Sequence, residues 1–240
     1  MNPALFAIVL GALVVEATVG FGATVVTVTL ASHLMSVDEV LAQLVPVNVL
    51  LACWFVARDH ALVDWRLIGR RVAPGMGAGF ALALLLGDRV GGTGLKAVFG
   101  AFVALLAVAE LARVREAPPG RWAARAALFG AGVIHGLFSC GGPLLVWVVG
   151  GELPEKGRFR ATLQAVWLVL GVLLLWRYAQ MGTLTAASVE GTLWLLPALL
   201  LGVPIGGWVH DRAAPGPFRT GTFVVLLFAG GSLAVRSLVG

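Results

Sequence analysis

His135-Gly136-Leu137-Phe138-Ser139-Cys140-Gly141-Gly142-Pro143 lies in the middle of an apolar stretch, residues 123–150. A membrane helix should run there without interruption. Gly141 and Gly142 raise the backbone-entropy cost of a helix, and Pro143 removes a backbone donor. Inside lipid such a break leaves polar backbone groups that must face protein or line a cavity. The stretch therefore predicts a broken helix in a membrane bundle. A second one, Glu16-Ala17-Thr18-Val19-Gly20-Phe21-Gly22-Ala23-Thr24, resembles it: each holds an ionisable residue six positions before a glycine.

The composition agrees with a membrane setting. Apolar residues make up 59% of the 240 and charged residues 12%, against roughly half and a quarter in soluble domains. Mean hydropathy is +0.95. The length fits one bundle without a separate soluble domain. The net charge of +5 is read as basic loops on the inner face rather than as a nucleic-acid surface. The two cysteines, Cys53 and Cys140, both fall in apolar segments and predict no disulfide framework. The N-terminus lacks a basic region, and Glu16 interrupts its apolar run, so no cleaved signal peptide is expected.

Apolar segments fall at 3–33, 40–57, 67–87, 95–112, 123–150, 160–176, 191–209 and 219–238. A span needs about 20 apolar residues. The first and fifth are too long for one straight span, and these carry the breaks. Ser36-Val37-Asp38-Glu39 reads as a capping box before the second segment, and Arg58-Asp59-His60 ends that segment in water. Residues 117–122 read as a linker between a first repeat, 1–116, and a second, 123–240. At an offset of 119, Gly11, Val14 and Gly22 fall on Gly130, Val133 and Gly141, Glu16 on His135, and Arg58 on Arg177. At an offset of 123, Pro74 and Gly79 meet Pro197 and Gly202, and Asp88-Arg89 meets Asp211-Arg212.

The basic residues choose between arrangements. If all eight segments cross, the 17 Lys and Arg divide 10 to 7 between the faces; if the first and fifth are re-entrant hairpins, they divide 13 to 4. The positive-inside rule selects the hairpins. Each repeat then has three full crossings, an odd number, so the repeats are inverted and both termini lie outside. The expected fold is an all-α membrane protein of two inverted repeats, with hairpin tips meeting at mid-membrane. Two short spans in place of each hairpin are the alternative.

The tips carry the expected chemistry. The helices restart near Ala23 and Pro143, and proline suits a first helical turn. Their free N–H groups and positive dipole ends form an anion site, with Gly20, Phe21, Gly22, Thr24, Ser139, Cys140, Gly141, Gly142 and Pro143 as candidate binding residues. Glycines also serve close helix packing. Glu16 and His135 are ionisable groups inside apolar segments, which marks them as functional by default and able to carry a coupling proton. Arg160 and Gln164 share one face of the sixth segment. The planar guanidinium of Arg160 suits an anionic group, although Arg160 also fits an ordinary membrane-face anchor beside Lys156 and Arg158. Gln43 and Asn48 are supporting polar residues of the second segment. Trp65, Trp122 and Trp176, near segment ends, fit interfacial anchors. No H-E-x-x-H, G-x-S-x-G or Walker loop occurs, and Gly20-Phe21-Gly22 follows no strand, which argues against an enzyme and against a dinucleotide fold. No metal or cofactor is expected.

Gly132-Val133-Ile134-His135-Gly136-Leu137-Phe138-Ser139-Cys140-Gly141-Gly142-Pro143, followed by Phe159-Arg160-Ala161-Thr162, resembles the TauE/SafE family of sulfite exporters. There a glycine-rich break with a following proline, then an F-R-A-T-like helix start, marks the second half. Glu16 through Gly22 looks like the first-half motif, with Ala23 and Thr24 departing from its more usual pattern. The resemblance implies proton- or ion-linked export of a small sulfur-containing anion, such as sulfite, sulfoacetate or a related sulfonate, across a bacterial inner membrane, without a cofactor. A passive anion channel on the same scaffold is the alternative, and an intramembrane enzyme or thiol sensor using His135 and Cys140 a more distant one.

Overall fold

The computed structural model describes residues 3–86, 93–112, 119–150, 152–153 and 155–212, and residues 224, 227–228, 230–232 and 234–235 of the last segment; the side chains of 86, 93–96, 98 and 110 are not described. The described residues hold helices and no strand. The expected helix over 219–238 and the Asp88-Arg89 pair lie largely or wholly outside them. The described members of that last segment are helical.

The first segment is α1 (Pro3–Val19) and α2 (Ala23–Ala31), separated by the break at 20–22. The fifth is α7 (Arg121–Phe138) and α8 (Gly142–Val149). The helix α7 begins two residues inside the expected linker, because Gly120 in an extended conformation serves as its N-cap. At a rise of 1.5 Å per residue, α2 and α8 are only about 12–14 Å long, far short of a bilayer core of about 30 Å. Both run back along their partners. Ala23 N–H bonds to the Glu16 carboxylate at 2.9 Å. Gly130 has Leu144 within van der Waals reach, and a methyl on Gly141 would overlap the Ala131 carbonyl.

Among the described residues, three helices are long and apolar enough to cross a membrane: Val37–Leu62, Lys156–Gln180 and Ala186–Arg212. The first is α3 (Val37–Asp59) with a following 3₁₀ turn, His60–Leu62. The expected capping box opens it: Glu39 N–H donates to Ser36 Oγ at 3.2 Å, and Ser36 N–H donates to Glu39 Oε2 at 2.9 Å. The other two are α9 (Lys156–Gln180) and α10 (Ala186–Arg212), the latter with Pro197 and Pro204 inside it. The third segment is continuous but composite: α4 (Trp65–Leu67), a π-helical stretch Ile68–Val72, and α5 (Ala73–Leu86). The fourth is α6 (Thr93–Leu111).

Small residues set how these helices meet. A methyl on Gly79 of α5 would strike the Phe129 carbonyl and come 3.0 Å from Val133 N on α7; one on Gly202 of α10 would approach Leu10 O and Val14 N on α1. Leu10 and Val14 are the residues that the offset of 119 pairs with Phe129 and Val133. The two contacts are thus reciprocal. Likewise Gly100 of α6 abuts Ala234, and Gly230 abuts Ala104. Directions follow from such contacts. Gly75 lies by Leu128 and Gly136 by Ala83, so α5 and α7 run parallel. Gly171 lies by Val49, and Arg160 by Phe55 and Asp59, so α3 and α9 run antiparallel. Arg158 pairs with Asp64 at 3.3 Å, and Asp64 N–H bonds to Thr162 Oγ1 at 3.0 Å. The connections after α3 and before α9 therefore sit at one end of the bundle.

Candidate functional site

The first break is conformational. Gly20 and Gly22 have φ of 92° and 115°, values that a side chain disfavours. They end α1 and turn the chain into α2. The second break gets its left-handed residue from Ser139, at φ 54°, whose N–H bonds back to His135 O at 2.7 Å. This is a left-handed C-cap of the kind that usually uses glycine. Gly141 and Gly142 are needed there for space: the former lies on Ala131, and a methyl on the latter would come 3.2 Å from Phe21 Cβ. Phe21 and Gly142 thus bring the two tips into contact. Pro143 sits in the first turn of α8, as expected.

A cavity of about 30 Å³ opens where the tips meet, room for about two waters. Of the candidate residues, Glu16, Phe21, Gly22, Thr24, Asn48, His135, Ser139, Cys140, Gly142 and Pro143 line it. His135 is 3% exposed, and neither ring nitrogen has a hydrogen-bond partner. Its ring stacks on Trp167, 5.3 Å between centroids and 8° from parallel. Asn48 gives its amide to Thr24 Oγ1 at 2.8 Å and leaves the other end unpartnered.

Glu16, 5% exposed, is fully engaged. Its carboxylate accepts from Ala23 N–H at 2.9 Å and from the Gln164 amide at 3.4 Å. It occupies the N-terminus of α2, where an anion is favoured. The offset of 119 puts Gly142 in place of Ala23 and His135 in place of Glu16, so α8 has no such built-in carboxylate.

The remaining candidates lie around the cavity rather than on it. Gly20 O accepts from Trp167 Nε1–H at 3.0 Å and from the Gln164 amide at 3.4 Å. Arg160, 8% exposed, donates to Ala17 O at 3.1 Å, lies over the Phe55 ring at 4.8 Å and stands 3.8 Å from Asp59. The ring nitrogen Nδ1 of His210, on α10, lies 2.6 Å from Thr18 O. Carbonyls at the end of α1 are thus held by side chains of α9 and α10. Gln43 sits on the α3–α10 contact, its side chain against Gly191 and its carbonyl accepting from Thr192 Oγ1 at 3.0 Å. Among the described residues, no group of three or more His, Cys, Asp and Glu could hold a metal ion.

Sequence reasoning missed Val25, Val45, Val49, Trp167 and Gly171, which complete the cavity wall. A signal for Trp167 was present: it lies three residues after Gln164 and seven after Arg160, on one helical face.

Two broken helices meeting tip to tip at an internal cavity, inside a bundle with membrane-length helices, define a helical membrane protein. The family model for the sulfite exporter TauE/SafE matches residues 5–233, and the chain belongs to that family of membrane transport proteins for sulfur-containing anions. Searches among curated proteins and among solved structures each return no match.

Proposed function

We propose that this chain is a secondary transporter that exports a small sulfur-containing anion, such as sulfite, sulfoacetate or a related sulfonate, across a bacterial inner membrane. The observation that carries the reading is the cavity between the tips, with the unpartnered His135 ring set beside the N-terminus of α8. The anion sits against Ser139 to Pro143, with Phe21, Gly22 and Thr24 opposite. Glu16 and His135 carry the coupling proton. Gln164 and Arg160 act at one remove, by holding Glu16 and the end of α1; Asn48 and Gln43 support α3.

The repeats 1–116 and 123–240, joined by 117–122, are inverted in this reading. The reciprocal glycine contacts and the antiparallel α3 and α9 support it, since equivalent helices run antiparallel only if each repeat holds an odd number of crossings. Both termini then lie outside. Alternating access consists of one repeat rocking against the other around the tips.

The test is flux in proteoliposomes with and without an imposed pH gradient. Saturable, gradient-driven flux of at least one sulfur anion is expected. His135→Ala and Glu16→Gln are expected to lower it at least tenfold, equivalent to about 1.4 kcal/mol of transition-state stabilisation. Non-saturating flux indifferent to the gradient identifies a passive channel. Unchanged flux in both variants overturns the site.

A further inference from the structure

The cavity proposed to take the anion contains almost no positive charge. Among the described residues that line it, none is a lysine or arginine. Arg160 does not line the cavity; its guanidinium donates to Ala17 O, stands 3.8 Å from Asp59 and lies over Phe55, with Nε unpartnered. The positive end of α2 is answered from within the protein, because Ala23 N–H is taken by Glu16 Oε2. Glu16 itself lines the cavity. What remains for a solute is the N-terminus of α8, equivalent to roughly half a unit charge, and the buried, unpartnered His135 ring. Against these stands Glu16 whenever it has released its proton, in a water-poor setting where like charges repel far more strongly than in water.

From this inventory we infer that the cavity takes a compact monoanion and discriminates against dianions of the same size, so that a sulfur oxyanion crosses in its singly charged form. A single negative charge is matched by the α8 end and one imidazole. A second would face Glu16 with nothing to offset it. The volume of about 30 Å³ favours a head group of a few atoms. The inference rests on the proposed transport of a sulfur anion and specifies which form of it is bound.

The experiment uses the full-length chain in proteoliposomes, with labelled sulfite as the transported species. The competitors are methanesulfonate and sulfate, similar in size and bearing one and two charges at neutral pH. Methanesulfonate is expected to compete at least tenfold better. Thermal shifts of the detergent-solubilised protein by the same two anions give a readout that does not require flux. In Glu16→Gln, the preference measured by thermal shift is expected to shrink at least threefold, because the lining loses its negative charge. Sulfate that competes as well as methanesulfonate, while sulfite is still transported, overturns the charge discrimination alone. An unchanged preference in Glu16→Gln overturns its origin in that carboxylate. If neither sulfite flux nor any shift by an anion is seen, the transport reading falls and this inference falls with it.

Discussion

Trp167 ties one break to the other: its ring lies flat on His135, and its N–H holds the Gly20 carbonyl. The two roles can be separated. Trp167→Phe keeps a ring for His135 and drops the hydrogen bond, at an expected cost of about 0.6 kcal/mol, typical of polar contacts between membrane helices. Trp167→Ala removes the packing too and should cost about 3–5 kcal/mol. Thermal unfolding in detergent measures both, and equal losses would show that the hydrogen bond, not the ring, dominates. Glu16 gives a similar contrast. Glu16→Gln retains an oxygen for Ala23 N–H, whereas Glu16→Ala strands that donor and leaves the Gln164 amide with Gly20 O alone. The alanine variant should be less stable than the glutamine one by about 1–3 kcal/mol, in the same assay. Both residues show what a sequence conceals at this scale. Glu16 stands out as a charge in an apolar run, but its partners lie up to 148 residues away. Arg160 reads as an anion ligand in sequence, and nothing there shows that its guanidinium reaches Ala17 O, 143 residues away, and Asp59.

Helix contacts here rest on glycines whose neighbours are backbone or Cβ atoms. Gly79 faces the Phe129 carbonyl of α7, and Gly202 faces Leu13 Cβ of α1 at 2.9 Å; neither atom can swing aside as the far end of a flexible side chain would. Gly11 and Gly77 have nothing within 4 Å of an added methyl. Gly79→Ala and Gly202→Ala should each force a helix pair apart, at an overpacking cost of about 1–3 kcal/mol. Gly11→Ala and Gly77→Ala should instead gain up to about 1 kcal/mol of helix propensity. Melting temperatures of the four variants check this, and a loss in all four would mean that helix contacts are not what these glycines serve. Much at this scale is legible locally. The Ser36 capping box, Pro143 in the first turn and both breaks follow from neighbours in sequence. The π-helical stretch at Ile68–Val72 does not, because its one glycine, Gly69, signals no particular change of helix type.

At the scale of the whole molecule, two arrangements compete, and they put different loops on the same face. With α1–α2 and α7–α8 as hairpins, Asp38 shares a face with the turn before α10, and Arg121 shares the opposite face with Arg158. With every apolar segment crossing, Asp38 would instead lie with Arg158, and Arg121 with the turn before α10. The distribution of basic residues chooses the hairpins from composition alone, since a 13 to 4 division is a stronger inside bias than 10 to 7. The Asp64–Arg158 pair supports the same choice, because it joins the end of α3 to the start of α9. Neither argument fixes which face is cytoplasmic except through the charge rule, so labelling is the decisive measurement. In a Cys53→Ser background, with Cys140 buried, a membrane-impermeant maleimide applied to spheroplasts should modify Asp38→Cys and Ala187→Cys. It should reach Arg121→Cys and Arg158→Cys only after the membrane is opened. Labelling of Asp38→Cys together with Arg158→Cys would overturn the hairpins. The expected pairing with the faces exchanged would retain them and reverse the direction in which the two tips open.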